Sequence, residues 1–140
     1  MNAAADIAAS HGATGRLVVL YDPEGFEAWD GEMRLVAYAQ ADITADMAGD
    51  PLLSAVGWSW LTEALRDRAV DHTAVGGTVT QTTSTRFGDV HGPSSTTQLE
   101  LRGSWTARST DLSGHLLAFT DLLCLAAGLP PEGVAVLGGR

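Results

Sequence analysis

At 140 residues and 14.6 kDa the chain has the length of one domain, and its 45% apolar content excludes wholesale disorder. Seventeen Asp+Glu against 8 Lys+Arg leave a net charge of -9, which repels phosphate backbones and disfavours broad nucleic-acid binding. All 8 cations are arginine, so no lysine can serve as a P-loop cation, a Schiff base or a cofactor linker.

Residues 1–15 are rich in Ala, Gly and Ser and read as a tail or as a weak edge strand through Ala5–Ala9. They show neither the basic region nor the apolar stretch of a signal peptide, and no window reaches the length of a membrane span. A cytoplasmic location follows by elimination. Arg16–Tyr21 is a β-branched run too short for a helix, and Asp22-Pro23-Glu24-Gly25 supplies a proline-led turn. In Met33–Asp42 the odd positions Met33, Leu35, Ala37, Ala39 and Ala41 are all apolar, the period of a half-buried strand.

Asp50-Pro51 opens a helix with an acidic cap and a proline in its first turn. Leu53, Gly57, Trp60, Leu61, Ala64 and Leu65 form its buried stripe, with Trp58 at the margin. Thr78–Phe87 predicts a threonine-rich strand with little to bury, suited to an edge or to a place under a loop. Thr97–Trp105 alternates cleanly, with Leu99, Leu101 and Trp105 on one face. Asp111–Ala127 predicts a second helix stopped by Gly128, with Leu112, Leu116, Phe119, Leu123, Ala126 and Ala127 as its core stripe. Leu117, Leu122 and Leu125 fall outside that stripe, so a second cover is expected, either the tail Leu129–Leu137 or a second subunit. The lone Cys124 cannot close an intramolecular disulfide and reads as a buried small hydrophobe.

Two strand–strand–helix units in succession predict an α+β fold: a four- or five-stranded antiparallel sheet with both helices on one face, residues 1–140 forming a single domain. Four segments together resemble the actinobacterial domain-of-unknown-function 3000 family. They are GRLVVLYDPEGFEAWDGEMRLVAYAQADI (Gly15–Ile43), MAGDPLLSAVGWSWLTEAL (Met47–Leu65), RGSW (Arg102–Trp105) and DLLCLAAGLPP (Asp121–Pro131), with AWDG and GWSWLTEAL the most distinctive pieces. The resemblance implies a further N-terminal helix and strand region that this chain lacks. It brings no activity, cofactor or catalytic residue with it.

None of His11, His72, His91 and His115 falls into a metal-binding pair, although Asp71-His72 and Asp89-x-His91 both flank the third predicted strand. Ser54 and Ser59 lie in a helix and Ser94-Ser95 in a loop without the glycine pattern of a nucleophile elbow. Asp42, Asp46 and Asp50 lack calcium-loop spacing. No catalytic, cofactor or metal residue is therefore assigned. An interaction surface is expected through Trp29 and Asp30 in the hairpin loop, Arg34, Tyr38 and Arg102 on a polar sheet face, Trp58, and Leu117 and Leu122 on the second helix. Gln40, Arg86, Gln98 and Glu100 would share the sheet face.

The expected function is a non-enzymatic accessory domain with a protein partner, itself or another chain. One alternative is a small-molecule binding domain or weak enzyme with a pocket between sheet and helices, walled by Trp29, Tyr38 and Trp58. Another is an RNA-processing accessory.

Overall fold

The computed structural model describes residues 2–9, 13–68, 70–92 and 94–128, the side chains of 2–9 excepted. Strands β1 (Asn2–Ala9), β2 (Ala13–Phe26) and β3 (Gly31–Ile43) come first, followed by a four-residue helix α1 (Ala45–Ala48) and a long helix α2 (Leu53–Asp67). Then come β4 (His72–Thr85), β5 (Ser95–Ala107) and α3 (Ser113–Ala126). The strands form one antiparallel sheet in the order β1-β2-β3-β5-β4, so the fold is α+β as expected. The N-terminal segment is an edge strand, and α1 is an element the sequence had not announced.

The proline-led turn is not the hairpin turn. Asp22-Pro23-Glu24-Gly25 is absorbed into β2 as an irregularity between Tyr21 and Phe26, with the Glu24 amide donating to Asp22 Oδ1 at 3.0 Å and Gly25 at φ 82°. The chain reverses later, in a 3-10 turn over Glu27–Trp29. Just ahead of α2, Asp50 Oδ1 accepts the Leu52 amide at 2.9 Å, and just ahead of α3, Asp111 Oδ1 accepts the Ser113 amide at 3.0 Å; the residues that cap the two helices are Leu52 and Leu112, not the acids.

Period-two alternation sends Leu17, Leu35, Ala37, Ala39, Leu99, Leu101 and Trp105 to one face, where α2 and α3 lie side by side. The two helices come close to the sheet because small residues lie beneath them. A Cβ on Gly103 would stand 2.5 Å from Leu61 Cδ2, and one on Gly77 would stand 2.0 Å from the Arg102 carbonyl oxygen and 2.9 Å from the Trp58 ring. The GWSWL stretch of α2 thus sits on a glycine pair spanning β4 and β5. Between sheet and helices, a void of about 10 Å³ beside Ala39, Trp60 and Leu101 is below the size of any ligand.

The stripe of α3 differs from expectation. His115, Ala118, Phe119, Asp121, Leu122, Leu123 and Ala126 are buried, whereas Leu116 is 47% exposed and Leu117 41%. Leu122 is fully buried in this chain's own core, so it is no docking residue. Two polar side chains displaced the apparent stripe. The indole N–H of Trp105 donates to His115 Nδ1 at 3.0 Å, and Arg68 grips Asp121 through Nε at 2.6 Å and a terminal nitrogen at 2.9 Å. Satisfied in this way, His115 and Asp121 occupy the face that apolar counting assigned to leucines. Cys124 is half-buried, and the tail Leu129–Leu137 lies outside the described residues.

Candidate functional site

Helices α2 and α3 both lie on one face of the sheet; the second face is built by the even-numbered residues of β3 and β5. Arg34 stands opposite Thr106, Val36 opposite Ser104, Tyr38 opposite Arg102 and Gln40 opposite Glu100. From β2, Arg16, Val18 and Leu20 stand opposite Tyr38, Val36 and Arg34. Val18, Leu20 and Val36 are half-buried and form an apolar strip between the arginines.

Arg34 is fixed by hydroxyls rather than by a carboxylate. Its two terminal nitrogens donate to Thr106 Oγ1 at 2.9 Å and Ser104 Oγ at 2.8 Å. Partial burial pulls the guanidinium below its ordinary pKa, yet arginine keeps its proton in proteins. Thr106 in turn donates to the backbone carbonyl of Trp29, which draws the hairpin tip over β5. Asp30 takes the left-handed conformation at φ 59°, and Gly31 sits so close above Thr106 that a Cβ there would lie 2.7 Å from its methyl. The AWDG turn is therefore a latch on Thr106, and it leaves the Trp29 ring packed 5.1 Å from that of Phe26. Along the face, the Arg102 guanidinium lies 5.0 Å over the Tyr38 ring, and Gln98 links Gln40 (3.0 Å) to Asp42 (3.2 Å).

Among the described residues neither Arg34 nor Arg102 forms an ion pair. Two guanidiniums without a counter-charge, with Tyr38, Phe26 and Trp29 beside them, can bind carboxylates and cover apolar surface.

Of the residues expected to form an interaction surface, Trp29, Asp30, Arg34, Tyr38 and Arg102 come together here. Trp58 does not: it packs on Gly77 and Gly103 on the helix side of the sheet. Trp29, Tyr38 and Trp58 consequently do not wall a common pocket. Leu117 is exposed on α3, away from this face. Arg86 lies beyond the end of β4, in a cleft of about 700 Å³ where β3 leaves β5 to enter α1. Asp42, Ile43, Ala48, Ser95 and Thr96 also line that cleft. Sequence reasoning missed Phe26, Ser104 and Thr106. The alternation of β5, carried four residues past Arg102, places Ser104 and then Thr106 on the face that holds Arg34.

The histidine pairs do not meet. His72 opens β4, where its Nδ1 lies 2.9 Å from the Val70 carbonyl, and Asp89 and His91 follow the strand's other end. Among the described residues no three His, Cys, Asp or Glu side chains are grouped to hold a metal, and no helix is long and apolar enough to cross a membrane.

A family model described as a protein of unknown function, DUF3000, matches residues 1–135. The chain belongs to the DUF3000 family. No curated protein and no solved structure matches it. In this DUF3000 chain the distinctive segments each have a physical task. AWDG latches the hairpin tip, GWSWLTEAL lies on the glycine pair, and RGSW alternates between the two faces: Arg102 and Ser104 outward, Gly103 and Trp105 inward.

Proposed function

We propose that this DUF3000 protein is a cytoplasmic, non-catalytic accessory domain that docks a partner protein on the open face of its sheet. The partner's contacting segment supplies carboxylates to Arg34 and Arg102 and apolar groups to Val36, Tyr38 and the Phe26–Trp29 pair. The observation that carries the reading is that Arg34 and Arg102, on the sheet face opposite α2 and α3 of a chain whose net charge is -9, form no ion pair among the described residues. On so acidic a chain, a few arginines set among Glu32, Asp42 and Glu100 favour a short protein segment over a nucleic-acid backbone, which binds by neutralising many phosphates.

The test is affinity purification from the native host with the wild-type chain, Arg102→Glu and Leu117→Ser, followed by titration of the purified partner. A protein held by wild type and by Leu117→Ser, but bound at least ~10-fold more weakly by Arg102→Glu, supports the reading. Equal retention by Arg102→Glu, or recovery of RNA alone, refutes it.

A second reading rests on the cleft of about 700 Å³, a size typical of small-molecule sites. Arg86 and Asp42 give it both charge signs, which suits a small ligand with one carboxylate and one ammonium group. Titration with free amino acids, read by amide shifts at Ser95–Gln98, checks it; no shift at millimolar concentration removes it.

A further inference from the structure

The sheet ends at β4, and no described strand pairs with that strand's outer edge. The edge is long: β4 has 14 residues, and its pairing with β5 runs unbroken from Gly76 to Thr85. Side chains from Thr80 to Thr85 are all exposed. The edge is also held in place from the helix side, where Gln81 Nε2 donates to Ser54 Oγ of α2 at 2.8 Å.

Proteins ordinarily protect such an edge with charges, proline or a bulge along its length. From Thr73 to Thr85 there is no charged residue and no proline, and the irregularity at Ala74 (φ 57°) lies at one end only. A long, ordered edge that no described residue guards is a strand-pairing site.

We infer that the β4 edge pairs antiparallel with the β4 edge of a second copy, joining two sheets into one. Self-pairing about a two-fold axis sets an edge against its own reversed sequence, so charges of one sign would repel one another; this stretch has none. With Thr80 on the axis, Thr78 faces the second copy's Thr82, and Val79 faces its Gln81. Threonine pairs of this kind stabilise antiparallel strands. The acid nearest the axis is Glu100, which pairs with Thr80 from β5. Two Glu100 residues are then three strand spacings apart, about 14 Å, farther than the Debye length at physiological salt. The axis stands perpendicular to the sheet, so both helical layers lie on one side. Both open faces lie on the other, forming one ten-stranded platform with two copies of the Arg34–Arg102 site. This inference does not depend on what that site binds.

Light scattering on the full-length chain at about 100 μM tests it, because association follows concentration. The expected mass is twice the chain's 14.6 kDa. Thr80→Lys should weaken association at least ~10-fold with an unchanged circular dichroism spectrum, by setting like charges across the axis. Thr80→Cys on a Cys124→Ala background should cross-link the two chains under mild oxidation. A wild-type monomer at that concentration overturns the inference. So does a dimer that Thr80→Lys leaves intact, or one that Leu117→Ser dissociates and Thr80→Lys does not.

Discussion

Replacing Arg68 with methionine is the sharpest test of how α3 is fixed to the rest of the chain. The guanidinium meets Asp121 through two bonds of 2.6 and 2.9 Å, and the carboxylate side chain is only 6% exposed while Arg68 is 28% exposed. Losing one partner of a fully buried pair costs about 3–5 kcal/mol, because the other charge is stranded away from water. Arg68→Met strands the nearly dry carboxylate, so its cost falls in that range. Asp121→Leu strands a guanidinium that already reaches solvent, and screening there reduces the cost to about 1–3 kcal/mol. Exchanging both for apolar residues removes the desolvation penalty together with the attraction, so Arg68→Met/Asp121→Leu should lie within about 2 kcal/mol of wild type. Urea unfolding of the four proteins, with m-values compared, gives the cycle. Additive single-variant costs, or Arg68→Met costing less than Asp121→Leu, would refute the reasoning.

A second prediction concerns pH. Nδ1 of His115 must be unprotonated to accept the Trp105 indole, and burial, then the proximity of His72, hold its pKa below the ordinary 6.5. Between that lowered value and about 6.5 the unfolded chain binds more protons. The contribution of His115 is therefore complete above pH 6.5 and declines as pH falls below it. The urea midpoint should drop from pH 7.5 to pH 5, and His115→Gln should flatten that part of the profile. Gly77→Ala drives a methyl against the Arg102 carbonyl and should cost about 3 kcal/mol or more, whereas Gly103→Ala meets a side-chain methyl of Leu61 rather than backbone and should cost about 1–3 kcal/mol; thermal melts of the two variants give the order. Thr106→Val removes both the acceptor for Arg34 and the donor to Trp29, so about 1–3 kcal/mol should be lost. Trp29 emission should shift as the latch loosens; an unshifted spectrum would mean that packing of Phe26, not Thr106, holds the turn.

Strand periodicity carried most of the architecture. The odd positions of Met33–Asp42 and the apolar residues of Thr97–Trp105 face the helices, and the threonine-rich strand lies at an edge. Local pattern suffices there because a strand face is set by alternation alone. It failed on α3, where burial was decided by partners distant in sequence: Trp105 for His115 and Arg68 for Asp121. A hydrophobicity count sees two polar residues and turns the stripe towards Leu116; the long-range bonds are invisible to it. The end of the threonine-rich strand was misplaced: it closes at Thr85, and Phe87 lies beyond it, 79% exposed. Of the candidate site, Trp29, Asp30, Arg34, Tyr38 and Arg102 were legible because they are the anomalous residues: an indole in a turn, and arginines and a tyrosine on a strand. Ser104 and Thr106 were not, since a hydroxyl becomes informative only when the register sets it against a guanidinium.

The open face and the core are not independent in this molecule. Arg34 keeps its geometry because Ser104 and Thr106 accept from it, and these hydroxyls stay in place because their neighbours Gly103 and Trp105 are locked beneath α2 and α3. Trp105 is locked in turn by His115, and α3, which carries His115, is tied down by Arg68 through Asp121. A guanidinium on a pleated strand without such anchoring would sample many rotamers, and ordering it on binding would consume much of the affinity it offers. In the docking proposed above, the buried polar contacts that obscured the helix stripe would bear on recognition as well as on stability, since they fix the strand that carries Arg102 and the hydroxyls that hold Arg34.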